Sequence, residues 1–208
     1  AKQHVDINGR SLLGWTLRAL AAHPRIVGVV IVIAVGDERW KSATEDLAGV
    51  ETRTAIGGNE RADSVLAGLA ALPDSVAGDA FVLVHDAARP CVTARDIDAL
   101  IEQAGHGDGG LLAAPLRDTL KRGDSEGLVI GTEARDSLWR ALTPQMFRRE
   151  SVANALRDAR DAGVIVTDES MAMERAGYRP ILVEGCDDNL KVTTPADLDL
   201  AAFLLARR

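Results

Sequence analysis

Apolar residues recur along this chain in two alternating rhythms. Leu13, Leu17 and Leu20 fall at i, i+4 and i+7 behind Ser11, which predicts a helix to about His23, stopped by Pro24. A continuous β-branched run follows, Val29 to Val35, and predicts a strand covered on both faces. Asn59 is the expected cap of a helix carrying Val65, Leu66, Leu69 and Leu72 and ended by Pro73. "FVLV" (81–84) reads as the next buried strand. Thr93 with Asp96 forms a capping-box pattern before "IDALIEQAG", which the glycines from Gly105 close. "LLAAP" (111–115) is a third buried strand. "ESVANALRDARDAG" and "DESMAMERAG" read as helices with a glycine at the C-terminal end. "PILVEG" is a late strand, and Thr194-Pro195 supplies a cap and a first-turn proline for the last helix, "ADLDLAAFLLA".

Strands alternating with helices predict βαβ units and an α/β fold with a mostly parallel sheet. Residues 116–134 break the rhythm. They read as two short polar strands around a Gly-Asp-Ser-Glu-Gly turn, with too little apolar surface to pack alone. This predicts a projecting β-arm that packs on a partner, such as its own twin in a dimer. There are no internal repeats and no low-complexity tracts.

Composition narrows the picture. At 208 residues the chain suits a single domain spanning 1–208. Aromatics make up only 3%, so Leu, Val, Ile and Ala must build the core. The formal charge of −7 argues against a nucleic-acid surface, which needs clustered Lys and Arg. A small anionic ligand stays open, since a few local cations and backbone N–H groups suffice for one. Cys91 and Cys186 are far apart and in no metal-type spacing, which points to reduced thiols in a cytoplasmic protein. No stretch of 18 apolar residues suggests a membrane span.

Four stretches are candidates for chemistry. In parallel α/β sheets ligands bind beyond the carboxyl ends of the strands. "VLVHDAARP" places Asp86 and Arg89 at such an end, either as a site or as a turn cap with its surface partner. His85 alone reads as structural, and no metal-ligand spacing surrounds it. "GGNERADS" sets two glycines before a helix, where a ligand can approach the backbone, although it fits neither GxGxxG nor Walker A. "GCDDNLKVTTPADL" carries Asp187, Asp188 and Lys191 on a loop after a strand. "EARDSLWRALTPQMF" carries Arg135 and an extended Thr143-Pro144-Gln145 spot, and Trp139 reads as core.

Taken together and in order, "GGNERADSVLAGL", "VLVHDAARPCV", "LLAAPLRDTLKR", "ALTPQMF", "TDESMAMERAG" and "DNLKVTTPADL" resemble the 2-C-methyl-D-erythritol 4-phosphate cytidylyltransferase family. The resemblance runs from Lys2 to the C-terminus. It implies a Rossmann-like nucleotidyltransferase domain whose β-arm completes a homodimer. It implies transfer of CMP from CTP to 2-C-methyl-D-erythritol 4-phosphate, with release of pyrophosphate, in the non-mevalonate isoprenoid pathway. It also implies a Mg²⁺ ion held largely by the CTP phosphates rather than by a protein metal site.

Residue by residue, Lys2 resembles the lysine on the reacting phosphate, and Lys191 matches a further contact to the substrate and the transferring phosphate. Gly58, Asn59 and Ser64 match the segment that recognises cytosine and ribose, and Ala87 joins that nucleotide set. Asp86 and Arg89 match residues at the sugar-phosphate and metal end of the site. Thr119 and Arg135 match groups that hold the substrate phosphate across the dimer, and Thr143 and Asp187 further substrate contacts. Phosphate attack on phosphate needs charge neutralised and groups positioned more than protons moved. Two departures stand out. The family's N-terminal strand and glycine-rich loop are missing ahead of Lys2, and Asn59 stands where an acidic residue is common. A ribitol 5-phosphate cytidylyltransferase and a non-catalytic nucleotide-binding homologue are the alternatives.

Overall fold

The computed structural model describes residues 2–45, 47 and 49–207. The chain enters through a 3₁₀ turn, Lys2–His4, and a hairpin of β1 (Asp6–Ile7) and β2 (Arg10–Ser11). Asn8 and Gly9 take positive φ at its tip, where Asp6 Oδ1 accepts from the Gly9 N–H. Ser11 then caps α1 (Leu12–Ala21) by accepting from the Gly14 amide, as predicted. β3 (Gly28–Ile33), α2 (Trp40–Thr44), β4 (Glu51–Ile56) and α3 (Arg61–Ala70) follow. Next come β5 (Phe81–Val84), α4 (Ala94–Ala104), β6 (Gly110–Pro115), β7 (Leu120–Gly123), β8 (Val129–Glu133) and β9 (Trp139–Arg148). The chain closes with α5 (Arg149–Asp161), α6 (Glu169–Arg175), β10 (Ile181–Glu184) and α7 (Pro195–Leu205).

The main sheet has the order β10-β6-β9-β5. β10 is parallel to β6, and β9 lies antiparallel between β6 and β5, so three of the four strands share one direction. β3 and β4 form a parallel pair of their own. The expected α/β architecture is therefore present, with one reversed strand that the pattern did not predict. Pro144 hid it, because proline gives no N–H to a ladder and argues against a central strand. The structure absorbs it in an irregularity. Leu111 faces Gln145 and Ala113 faces Ala141, so residues 142–144 bulge opposite Leu112.

The core lies on both faces of this sheet. Ile97, Leu100, Leu112 and Met146 pack between α4 and the sheet, and Phe147, Val152, Leu156 and Met173 pack under α5 and α6. Residues Gly110 to Ala114 of β6 are all buried, as expected. Two other strands are less covered than their sequences suggest. In β3 only Ile31 is buried, Val35 just beyond the strand is exposed, and β5 is partly buried throughout. The physical reason is an open groove between them. Among the described residues, β3 is hydrogen-bonded only to β4, and β5 only to β9.

The helix caps decide where the loops of the site begin. Thr93–Asp96 and Thr194–Asp197 are both full capping boxes. The Asn59 cap is corrected: Glu60 occupies the cap position of α3 with no side-chain bond, and Asn59 lies exposed before it. The predicted arm is β7 and β8, a two-stranded sheet of its own. Asp124 closes its turn by accepting from the Glu126 and Leu128 amides. Leu128, Val129 and Ile130 at its far end are 61%, 66% and 61% exposed.

Candidate active site

β5 ends at Val84 and delivers His85 and Asp86 to the carboxyl edge of the sheet. Asp86 gathers three cations from three segments. Lys191, after β10, places Nζ 3.0 Å from Oδ2, and Arg89 places Nε 3.4 Å from the same oxygen. Arg61, the first residue of α3, places Nη2 3.6 Å from Oδ1. The loop is tied down beneath them. Thr16 Oγ1 donates to the Ala87 carbonyl at 2.9 Å, and the Val192 amide donates to the Ala88 carbonyl at 2.8 Å.

Threonine and histidine form the floor. His85 Nε2 lies 3.0 Å from the Arg89 carbonyl, which can only accept, so Nε2 carries the proton. Burial depresses the His85 pKa to about 4, so the ring is neutral and Nδ1 accepts from the Thr143 hydroxyl at 2.9 Å. The Asp86 amide in turn donates to Thr143 Oγ1 at 3.1 Å. Arg89 is almost wholly buried and donates through Nη1 to the Asn189 carbonyl at 2.7 Å, while Asn189 Nδ2 donates to the Thr143 carbonyl at 2.7 Å. These bonds lock the β5, β9 and β10 loops together.

Charge follows from this arrangement. Burial pushes the Asp86 carboxyl up, but the Lys191 hydrogen bond and charge, with the charges of Arg61 and Arg89, hold it below the ordinary range. Burial lowers the Arg89 pKa. Burial raises the Glu169 carboxyl, and its bond to Arg61 brings it only part of the way back. At Arg61 burial lowers the pKa, but the Glu169 bond and charge, joined by the charges of Asp86 and Asp168, together outweigh it and raise it. Asp86 is thus an ionised acceptor and a poor base, set among cations suited to anionic phosphates.

The other predicted residues fall into two groups. Asp187 is ion-paired to Arg140 of β9 and, at 3.4 Å, to Arg117 at the base of the arm. Arg135 donates to the Arg117 carbonyl, and Thr119 is exposed beside it. Among the described residues neither makes a hydrogen bond or ion pair with Asp86. Lys2 is exposed on the entry turn, where His4 holds Asp37 at 2.6 Å. At the head of α3 the Gly58 amide donates to Ser64 Oγ at 3.2 Å, and Ser64 donates to the Glu60 carbonyl. A Cβ on Gly58 would stand 2.4 Å from Asp63 Cβ, so close packing of the loop on α3 requires this glycine. Ala87 and Asn59 lie exposed nearby in sequence to these groups.

Comparison with known proteins decides what this site belongs to. A family model for 2-C-methyl-D-erythritol 4-phosphate cytidylyltransferase matches residues 1–207. The chain belongs to this family. The Stenotrophomonas maltophilia (strain K279a) 2-C-methyl-D-erythritol 4-phosphate cytidylyltransferase is 56% identical over all of this chain and 89% of its own length. A crystal structure of a 4-diphosphocytidyl-2C-methyl-D-erythritol synthase superposes with a TM-score of 0.87 at 36% identity, covering 98% of this chain and 94% of that one. The Francisella tularensis cytidylyltransferase gives 0.85 at 33% identity, covering 98% and 92%.

Within this cytidylyltransferase fold, a groove of about 940 Å³ runs between β3 and β5, apolar along Val29–Ile33 and Phe81–Val84 and polar where it reaches Arg61, Ser64, His85 and Asp86. Among the described residues no three His, Cys, Asp or Glu side chains come together as a metal cage. Asp86, the carboxylate at the centre, faces three cations, so the protein atoms do not fit a resident metal. Several residues of the site were not legible beforehand. Arg61 stood inside the quoted "GGNERADS", and Glu169 inside "TDESMAMERAG", but neither type nor spacing marks them apart from solvated helix charges. Asn189 and Gln145 also stood inside quoted stretches, but nothing in the sequence marked either as a buried brace.

Proposed function

We propose that this chain transfers CMP from CTP to 2-C-methyl-D-erythritol 4-phosphate, with the Asp86 cluster at the reacting end. An oxygen of the sugar-alcohol phosphate attacks the α-phosphorus of CTP. The new P–O bond forms as the bond to the β-phosphate oxygen breaks, and pyrophosphate leaves with that electron pair. The attacking phosphate is already ionised, so no general base is required. What the reaction needs is neutralised charge and alignment of two anions. The observation that carries this reading is the convergence of Arg61, Arg89 and Lys191 on one carboxylate at the strand ends, in a chain matched by that family from end to end.

In this reading Lys2 and Lys191 neutralise the transferring phosphate. Gly58, Asn59, Ser64 and Ala87 take the nucleoside, and Arg89 and Asp86 order the sugar-phosphate end. Asp86 accepts hydrogen bonds there and does not take a proton, which its lowered pKa supports. Mg²⁺ travels with the CTP phosphates, where it lowers their charge. The protein works as a homodimer, in which Thr119, Arg135 and Asp187 meet substrate beside the partner's arm. The exposed Leu128, Val129 and Ile130 support that pairing, since a two-stranded ribbon does not stand alone. A cytoplasmic setting suits the two free cysteines. Among the described residues no helix is long and apolar enough to cross a membrane. The test is pyrophosphate release with CTP, Mg²⁺ and methylerythritol phosphate, with ribitol 5-phosphate in parallel. Release with the first alcohol phosphate alone is expected. Release with ribitol 5-phosphate alone would overturn the substrate assignment, and none with either would overturn the activity.

A further inference from the structure

Glu169 is 0% exposed, yet it is a carboxylate. A charge so placed is costly unless its partner satisfies it fully. Here Arg61 supplies the opposing charge and offsets the burial only in part. Arg61 Nη1 bonds Oε1 and Nη2 bonds Oε2 at 3.0 Å, a two-pronged fork that fixes the plane of the guanidinium. The side chain so fixed is the one that reaches Asp86 Oδ1 at 3.6 Å. A buried ion pair adds little stability over well-packed apolar side chains. Its use must therefore lie in where it holds Arg61.

The support behind Glu169 leads back to the site. Gln145 of β9 is 1% exposed, accepts from the Ser170 amide at 2.8 Å and donates to Asp168 Oδ2 at 2.9 Å. Asp168 caps α6 by accepting from the Met171 amide. β9 therefore braces Asp86 twice. Thr143 holds its backbone amide, and Gln145 holds its carboxylate through the start of α6, Glu169 and Arg61.

We infer that Arg61, locked by the buried Glu169, is a positioning residue that holds Asp86 Oδ1 while Lys191 and Arg89 hold Oδ2. This rests on the reading above that Asp86 stands at the reacting end. Facing Asp86 are Lys191 from beyond β10, Arg61 from α3, Arg89 from its own loop and neutral His85 beneath. Asp168 and Glu169 of α6 lie behind Arg61, and Arg140 of β9 lies behind Arg89. Losing Arg61 removes one of the cations that favour ionised Asp86, so its carboxyl must titrate at higher pH.

The test uses the full chain. Arg61→Met alone would leave Glu169 buried and unpaired, so it is studied beside the double variant Arg61→Met/Glu169→Leu, which removes both charges and leaves neither buried without its partner. In the double variant kcat is expected to fall about tenfold with KM for CTP little changed, and the acid limb of the kcat profile to move to higher pH. Arg61→Lys should restore the position of that limb. Carboxyl NMR of Asp86 should show the same upward movement without substrate, so the inference stays testable if the wild-type chain releases no pyrophosphate. A folded double variant whose Asp86 titrates as in wild type would overturn it. So would an unchanged kcat with a raised KM for CTP, which would make Arg61 a nucleotide contact instead.

Discussion

Thr143→Val separates two roles for one side chain. By resemblance Thr143 contacts substrate, whereas its geometry makes it a brace. Its hydroxyl donates to His85 Nδ1 at 2.9 Å and accepts from the Asp86 amide at 3.1 Å, and the residue is 4% exposed. Valine matches the shape and removes both bonds. Each partner left unpaired in a buried place costs about 1–3 kcal/mol. Two such partners give an expected loss of about 2–6 kcal/mol, a large share of the roughly 5–15 kcal/mol that holds a domain of this kind. Urea denaturation should show a lower midpoint at an unchanged slope. Thr143→Ser keeps the hydroxyl and should lose less than about 1.5 kcal/mol, the ordinary loss for one methyl group. A valine variant within about 0.5 kcal/mol of wild type but without turnover would refute the brace and leave only a substrate contact.

Three further outcomes follow from the same geometry. His85 stays neutral in the fold down to about pH 4, against 6.5 unperturbed, so between those values the unfolded chain binds a proton that the folded chain refuses. Stability should therefore fall as pH drops from 6.5 to 4, by at most about 3 kcal/mol, and thermal melts of His85→Gln should show a shallower fall; parallel curves would contradict this. Gly58→Ala sets a methyl 2.4 Å from Asp63 Cβ and should cost about 1–3 kcal/mol in chemical denaturation, and a neutral result would mean the loop is free to shift. Deleting residues 120–132 should weaken self-association in sedimentation, and a dimer as tight as the intact chain's would move the interface elsewhere.

Local patterns along the chain determined most of the scaffold. Ser11, Thr93 and Thr194 announce helix starts through their own side chains, and each cap stands where its spacing placed it. The arm was legible for a similar reason, since two short strands flanking a Gly-Asp-Ser-Glu-Gly turn read as a hairpin, and β7 pairs with β8 there. Asp86, Arg89 and Lys191 were legible as strand-end residues, because ligands gather where parallel strands stop. Only the tertiary structure decided the rest. It reversed β9 despite Pro144, left β3 and β5 half-covered beside an open groove, and moved the α3 cap from Asn59 to Glu60. It also brought Glu169 to Arg61 across 108 positions of sequence, and Gln145 and Asn189 into the interior. Those contacts depend on which faces meet when the layers close. A residue's type sets which bonds it can make, but the distance and burial that give a bond its energy exist only once distant segments are in place.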